Sequence, residues 1–572
     1  MAFAWYTYTM TPLVRDLLAR RGVVGEAEIH DFLNPNYDLH LHDPFLLSGM
    51  EKAVMRVLKA TQEKEKIILY TDYDTDGIPA GVLLHDFFKE IGYFNFANYI
   101  PHRNKEGYGL NTAAIDRFAA DGATLIITAD CGITDHKEAA HAQSLGIDVI
   151  ITDHHLPLHT KDENGEDRIS LPPAFAVINP QRNDDAYPFR FLCGAGVAFK
   201  LVQGIIKRGR ELGLVTLGEG KEKWLLDMAG IATISDMVPL VGENRVLAYY
   251  GLKVLQKSPR PGLKRLFRKA YVPQGQITEE DIGFVVGPRI NVASRIDTPE
   301  KAFRLLATRD DAEAELLVGY LEDLNKKRKI LVANVMKEAK GRLLANELRD
   351  VLVLGNPAWF PGILGLAAQR ISEEFKRPVF LWGKEGGETI KGSCRSDGTI
   401  NIHELMGHAK EAFIDFGGHE FSGGFSVAGD KIHFLEDALN KCMSDIPRKT
   451  RADDGAEIDA ECLLGEVTWD MFRDIQRVAP FGKGNPRPLF LFKNITVTGV
   501  NYFGKEKGHV RLTVGDAAGA SLSAIKFFGA SDDLLTQCEQ GSRINLMAHV
   551  EKSIFRNIPE LRLRIINVSF AV

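Results

Sequence analysis

The sequence predicts an α/β protein: two α/β units joined by a long helix, followed by a C-terminal all-β barrel of the OB-fold type. Three patterns point there. Between residues 65 and 200, short β-favouring runs alternate with amphipathic helical stretches, the signature of parallel βαβ units. A second, glycine-dense alternation starts at residue 351. From residue 489 onward only short strands and turns remain, roughly five strands in all, which suits a small closed barrel.

Composition sets the limits. A chain of 572 residues, 45% hydrophobic and 26% charged, holds core enough for roughly three to four domains of about 150 residues. Its N-terminus has no basic segment leading into an apolar one, and no apolar run reaches about 18 residues, so a cytoplasmic protein without a membrane segment is expected. The six cysteines lack any C-x-x-C spacing, which argues against a zinc ribbon, a thioredoxin-like site and a disulfide framework. The net charge of −6 says little about nucleic acid when many acids are expected to hold cations.

Residues 1–60 read as a helical lead-in, started by Thr11-Pro12, with Leu13, Leu17, Leu18 and Phe32 on an apolar stripe. Residues 61–306 carry the chemistry. Four apolar runs, 67–77, 124–132, 148–155 and 231–239, read as strands that end in carboxylates or an imidazole pair, and helices are expected at 81–90, 111–120 and 137–144. Ligands of an open α/β sheet gather outside the carboxyl ends of its strands, so Asp72, Asp74, Asp76, Asp130, Asp153, His154 and His155 should share one crevice. Any one of these acids alone would more often be turn or cap chemistry. Together they would repel one another unless cations lay between them, which predicts a site for two divalent ions. A mixed Asp/His donor set suits Mn²⁺ or Mg²⁺ better than zinc.

Residues 200–300 look mainly helical and include Asp236 and GPRINVASRID. The connecting helix, 307–347, has a capping signal at Thr308, Asp310 and Asp311, then Leu316, Leu317, Tyr320, Leu321 and Leu324 at helical spacing. The second α/β unit, 348–450, contains strands near 351–357 and 378–382, a helix at 365–375, and the glycine-rich stretches GSCRSDG and FGGHEFSGGFSV. Those glycines mark either close backbone approach or simple turns. In the barrel, 451–572, Lys505, Lys507, His509, Arg511, Lys526, Phe527, Phe528, Lys552, Phe555 and Arg556 form either a face for single-stranded nucleic acid or an ordinary solvated surface.

The motifs Asp72-Tyr73-Asp74-Thr75-Asp76-Gly77, Asp130-Cys131-Gly132 and Asp153-His154-His155, with Asp236 in SDMVPL, resemble the successive motifs of the DHH phosphoesterase superfamily. HRNKEGYGLN, INPQR, LCGAGVAFKL, GENRVLAYYGL, GSCRS, GGH and PFGKGNPRPLF narrow the resemblance to the RecJ family of single-strand-specific 5′-to-3′ DNA exonucleases, across essentially the whole chain. The resemblance implies a DHH catalytic domain at 61–306, a DHHA1 domain at 348–450 and an OB-fold at 451–572. It implies that Asp74, Asp76, Asp130, His154 and Asp236 hold two metals with Asp130 as the bridge, while Asp72 and His155 assist. His155, Asp130 and Asp72 are the expected catalytic residues. Arg103, Arg295, Ser393 and Arg395 are expected on phosphates, the last two near the 5′ end, and His419 near the cleft. The implied partners are the 5′ end of single-stranded DNA, a helicase and a single-strand-binding protein, and the implied state is a monomer working in recombination and repair.

Two departures from the family pattern stand out. Ser294 precedes Arg295 where glycine is expected, and Phe421-Ser422-Gly423-Gly424 follows the Gly-Gly-His motif. Neither removes an expected ligand. Two rival readings are a phosphodiesterase for small nucleotides, whose members generally lack the terminal barrel, and a non-catalytic DNA-binding scaffold, whose ligands would be eroded.

Overall fold

The computed structural model describes residues 10–161, 167–384, 389–449, 457–504, 507–529, 532–555 and 558–571. Two compact units divide the chain: one comprises residues 44–236 and 251–454, the other residues 1–43, 237–250 and 455–572.

In the larger unit, β1 (Lys66–Thr71), β2 (Phe96–Tyr99), β3 (Ala123–Ala129), β4 (Asp148–Thr152) and, after a hairpin of β5 (Leu158–Lys161) and β6 (Asp167–Ser170), β7 (Ala176–Ile178) provide the first sheet. Its order is β2-β1-β3-β4-β7, and every pairing within it is parallel. The strands are apolar at successive positions because helices cover both faces. On one face Ile68, Tyr70, Ile126, Val149 and Ile151 pack with Ala114, Ile115, Phe118 and Ala142 of the helices Thr112–Ala120 and His136–Ser144. The alternate residues Ile67, Leu69, Leu125 and Ile127 are equally buried. Each such side chain contributes about 1.5–3 kcal/mol relative to exposure.

The apolar run 231–239 is not a strand. Its first half closes the helix Leu226–Ser235, in which Leu226 to Thr233 are all buried. A helix that is apolar all round shows neither period 2 nor period 3.6, so sequence pattern cannot separate it from a buried strand. Asp236 caps its C-terminus, its N–H donated to the Ala232 carbonyl at 2.9 Å.

The connecting helix spans Asp311–Leu344 and begins at an Asp310 side chain that accepts from the N–H groups of Ala312 and Glu313. Beyond it, β8 (Leu352–Gly355), β9 (Val379–Gly383), β10 (Ile390–Arg395), β11 (Asp415–His419) and β12 (Ser422–Val427) form a second sheet in the order β11-β12-β10-β9-β8. Only the β8–β9 pairing is parallel; the rest are antiparallel. Gly392 is required there, since a Cβ would sit 2.1 Å from the Phe425 ring on the neighbouring strand.

The smaller unit is the barrel: β13 (Ala460–Glu461), β14 (Phe490–Phe503), β15 (His509–Gly515), β16 (Ser521–Lys526), β17 (Arg543–Phe555) and β18 (Ile558–Phe570). The order β13-β14-β15-β16-β18-β17, with β14 pairing β17 as well, closes five strands into a barrel. Two helices, Pro12–Arg20 and Glu26–Leu33, precede it in the chain and belong to this unit. Val14, Leu17, Leu18 and Ile29 share one core with Phe490, Phe492, Leu546 and Leu563 of the barrel. Arg245 joins the same unit, donating to the carbonyls of Phe32, Val478 and Ala479. No helix among the described residues is long and apolar enough to cross a membrane.

Candidate active site

Three of the four acidic motifs leave the carboxyl edge of the first sheet, and the fourth, Asp236, comes from the end of the helix Leu226–Ser235. After β1, Asp74 Oδ1 accepts from the N–H groups of Asp76 and Gly77 at 2.7 and 3.1 Å, which turns the chain into the helix Gly77–Glu90. A Cβ on Gly77 would lie 2.4 Å from the Asp72 carbonyl, so only glycine permits this turn. Pro79 occupies the first helical turn, where no helical N–H bond is lost.

After β3, Asp130 adopts φ +64°, and its N–H donates to the Thr152 carbonyl at 3.0 Å. The helix Gly194–Glu211 begins directly beside it, where a Cβ on Gly194 would fall 2.5 Å from that of Asp130. The N–H groups of Gly194 and Ala195 point at the Asp76 carboxylate at 2.6 and 2.7 Å. A carboxylate at the positive end of an 18-residue helix is well placed electrostatically.

After β4 the chain presents Asp153, His154 and His155. Asp153 does not face the other acids. Its Oδ1 accepts from both following N–H groups and, at 2.7 Å, from His155 Nδ1, while Oδ2 accepts from the Ile133 N–H. His155 Nε2 is thereby turned outward. His154 bonds the Leu192 carbonyl, and its Nε2 lies 3.1 Å from Asp130, 3.6 Å from Asp76 and 3.8 Å from Asp236.

Three sets of donor atoms lie within 4.8 Å of one another: Asp72, Asp74 and Asp130; Asp76, His154 and Asp236; and Asp130, His154 and His155. The residues fit divalent ions by a direct observation. Asp72 Oδ1, Asp130 Oδ1 and His154 Nε2 are buried without a hydrogen-bond partner among the described residues, although Asp130 and His154 are nearly in contact. Two acceptors turned toward each other at that distance match adjacent ligands of one cation held at about 2.1 Å, which lie about 3 Å apart. The electrostatics agree. Burial and the neighbouring Asp74 push Asp72 far above the carboxylate range and lift Asp76 to about 7, and burial with Asp76 and Asp74 does the same to Asp130 as to Asp72. Burial and His155 lower His154 to about 4, leaving its nitrogen free to ligate. His155 moves the other way: burial opposes its charge, but the Asp153 bond carries it up to about 9.

The expected phosphate residues Arg103, Arg295, Ser393 and Arg395 line one cleft of about 340 Å³ between the two sheets of the larger unit, with Tyr73 and Lys391. Among the described residues none of the three arginines ion-pairs with a carboxylate. Burial, then Arg103 and Arg395, lower Arg295 to about 9, which marks unbalanced positive charge. The Arg103 guanidinium lies over the Tyr73 ring, and Gly365 leaves room for that of Arg395. His419 is exposed on β11, bonded to Ser422, and does not line this cleft. The Ser294 hydroxyl donates to the Asn291 carbonyl within its own helix, so it adds no donor to the cleft.

Sequence reasoning passed over Tyr108 and Asp135. Tyr108 Oη lies 3.1 Å from the Asp130 carbonyl and 3.0 Å from His155 Nδ1. Asp135 holds the same loop by accepting from the Leu110 N–H at 2.6 Å. The two glycines flanking Tyr108 were the available signal, since Gly107 and Gly109 both have φ near +85°.

On the barrel, His509 gathers the rings of Phe503, Phe527 and Phe528, and Arg511 lies over Phe503. Lys505, Arg556 and the Phe555 side chain fall outside the described residues.

Such a sheet edge, with a second α/β unit, defines a phosphoesterase of the DHH class: residues 66–232 match the DHH family N-terminal domain and residues 348–445 the DHHA1 domain. Residues 458–567 match the RecJ OB domain. The single-stranded-DNA-specific exonuclease RecJ of Bacillus subtilis is 34% identical over 559 residues, covering 97% of this chain and 68% of that protein. Its Escherichia coli counterpart is 32% identical over 500 residues, covering 84% of this chain and 83% of that protein. The crystal structure of RecJ from Thermus thermophilus with Mn²⁺ superposes with a TM-score of 0.79 at 25% identity, over 98% of this chain and 76% of that one, and the same protein has been solved with Mg²⁺. The chain belongs to the RecJ family.

Proposed function

We propose that this chain hydrolyses single-stranded DNA from the 5′ end. The observation that carries the reading is the joining, in one unit, of an acidic centre suited to two divalent ions and a cleft of arginines without carboxylate partners. Asp74, Asp76, Asp130, His154 and Asp236 would hold the ions, Mn²⁺ or Mg²⁺; Asp130 is common to two of the donor groups, and Asp72 stands beside Asp74. Ions held there would supply charge neutralisation at a phosphate and a bound water of lowered pKa near neutral pH.

The protein's own groups do the rest. Asp153 fixes the His155 ring through Nδ1–H, so that Nε2 meets a phosphate oxygen as charge builds on it. Arg103, Arg295 and Arg395 bind phosphates as planar forks, and Ser393 adds a hydroxyl. A terminal phosphate held in the cleft sets both polarity and exonucleolytic cutting. His419 contacts the strand at the rim. The barrel adds aromatic rings that stack on any base, worth about 1–3 kcal/mol each. The family supports a cytoplasmic role in recombination and repair, with a helicase and a single-strand-binding protein supplying the strand.

The deciding experiment is hydrolysis of an oligonucleotide labelled at its 3′ end, single-stranded against blunt duplex, with Mn²⁺, Mg²⁺ or EDTA. A ladder shortening from the 5′ end, on the single strand and with metal only, is expected. Turnover of di- or trinucleotides without cleavage of long strands would overturn the reading.

A further inference from the structure

The order of the first sheet lays out a path for the strand. Arg103 follows β2, Asp72 to Asp76 follow β1, Asp130 follows β3 and the histidine pair follows β4, so the phosphate cleft and the acidic centre succeed one another along one edge. The last strand on that edge is β7, and the loop after it, residues 179–193, starts at the end opposite Arg103 and returns to His154 at Leu192. Neighbouring strands are about 4.8 Å apart, which puts this loop within about 10 Å of β3.

The loop is held firmly to the site. Asn179 Nδ2 donates to the His155 carbonyl at 2.9 Å, and Arg182 Nη1 to the Val177 carbonyl at 2.8 Å. Asp185 accepts from the N–H groups of Tyr187 and Ser48. Tyr187, Leu192 and Cys193 are buried, and the Leu192 carbonyl anchors His154. Yet Phe191, next to that anchor, is 50% exposed and packs edge-on against Phe189 at 5.8 Å between ring centres. Scattered exposed aromatics need no explanation. A braced pair on a fixed loop, next to the residue whose carbonyl anchors His154, does.

We propose that Phe191, braced by Phe189, stacks on the base just 3′ of the scissile phosphate, the first base of the strand that remains after cutting. The proposal rests on the 5′-end exonuclease reading. With the terminal phosphate at the arginines and the scissile phosphate at the acids, the next base falls over the β7 loop. A base in a duplex is already stacked on both faces, so a ring here also favours single strands.

The test measures equilibrium binding in EDTA of 5′-phosphorylated, 3′-labelled oligonucleotides, with an abasic site at nucleotide 2 or, as control, at nucleotide 8. The native protein should lose about fivefold or more in affinity with the abasic site at nucleotide 2, the range expected for one stacked base. Phe191→Ala should show a similar loss on the intact strand, no further loss on the strand abasic at nucleotide 2, and recovery in Phe191→Trp. Equal sensitivity of native protein and Phe191→Ala to that abasic site would overturn the proposal, as would an unchanged affinity in both. Cleavage by the native protein with Mn²⁺ is followed in parallel. Failure to shorten the strand from its 5′ end would overturn the underlying reading, whatever the binding data show.

Discussion

At Asp130 the backbone holds φ +64°, a conformation that non-glycine residues rarely keep unless the surroundings enforce it. Here the enforcing contacts are the N–H bond to Thr152 and the helix that starts at Gly194, and together they aim the carboxylate between Asp72 and His154. Replacing this side chain removes a carboxylate common to two of the donor groups without removing core. Asp130→Ala should therefore reduce cleavage by about three orders of magnitude or more while circular dichroism and Tm stay near native values. Full activity in that variant would sink the shared-metal assignment. Arg395 poses the complementary case, since its fork has no carboxylate to satisfy among the described residues. Loss of a charged hydrogen bond is worth about 1.5–3 kcal/mol, so Arg395→Ala should cut the preference for a 5′-phosphate over a 5′-hydroxyl by about ten- to a hundredfold. An unchanged ratio in competitive cleavage would remove it from the end-binding role.

Among the elements, the helix Gly77–Glu90 begins in the acidic centre and carries a histidine, His85, just past its middle. His85 bonds Asn98 at 2.7 Å and stands edge-on to Phe96 and Phe303. Burial, then Lys89, lower it to about 4; Arg260 acts in the same direction and Asp86 against it. In the unfolded chain a histidine titrates near pH 6.5, so between about pH 6.5 and 4 the unfolded state takes up a proton that the folded state refuses. The contribution of this residue is intact above pH 6.5 and is lost as pH falls toward 4. Allowing for solvent at its open edge, the loss is about 2 kcal/mol. His85→Gln should flatten the fall of Tm over that interval, and an identical pH profile in the variant would show that other groups govern acid lability.

For the whole molecule the acidic centre is a source of strain as well as activity. Asp72, Asp76 and Asp130 are buried and repel one another, so any cation that binds only the folded chain stabilises it by mass action. At about a hundred times its dissociation constant the gain is about 2.7 kcal/mol. Mn²⁺ should accordingly raise Tm by a few degrees, EDTA should reverse the rise, and Asp130→Ala should abolish it. Equal metal responses in native and variant protein, followed by calorimetry, would place the ion elsewhere. The larger unit has a second charge system, already balanced: Arg260 bonds Asp86 and Asp227, both at 2.6 Å, and Arg309 bonds Asp86 at 3.0 Å. Balance there and imbalance at Asp130 distinguish a structural ion pair from a site that asks for a ligand.

The sequence alone determined the strands β1, β3 and β4, because a parallel sheet covered on both faces writes an uninterrupted apolar run that ends where its acids begin. It determined the long helix as well, through the Asp310 cap and the spacing of Leu317, Leu321 and Leu324. It brought the acids and the histidine pair to one edge, since the side on which parallel strands end is a matter of topology. Only tertiary structure decided that residues 226–235 are a helix, because an element apolar on every side carries no period to read. It alone decided that Asp153 orients His155 while Asp72 groups with Asp74, because that choice depends on which way each carboxylate turns. The same holds for Tyr108 at Asp130 and for the Val14 to Ile29 stripe in the barrel core, where the partners are far apart in the chain and local pattern names no partner.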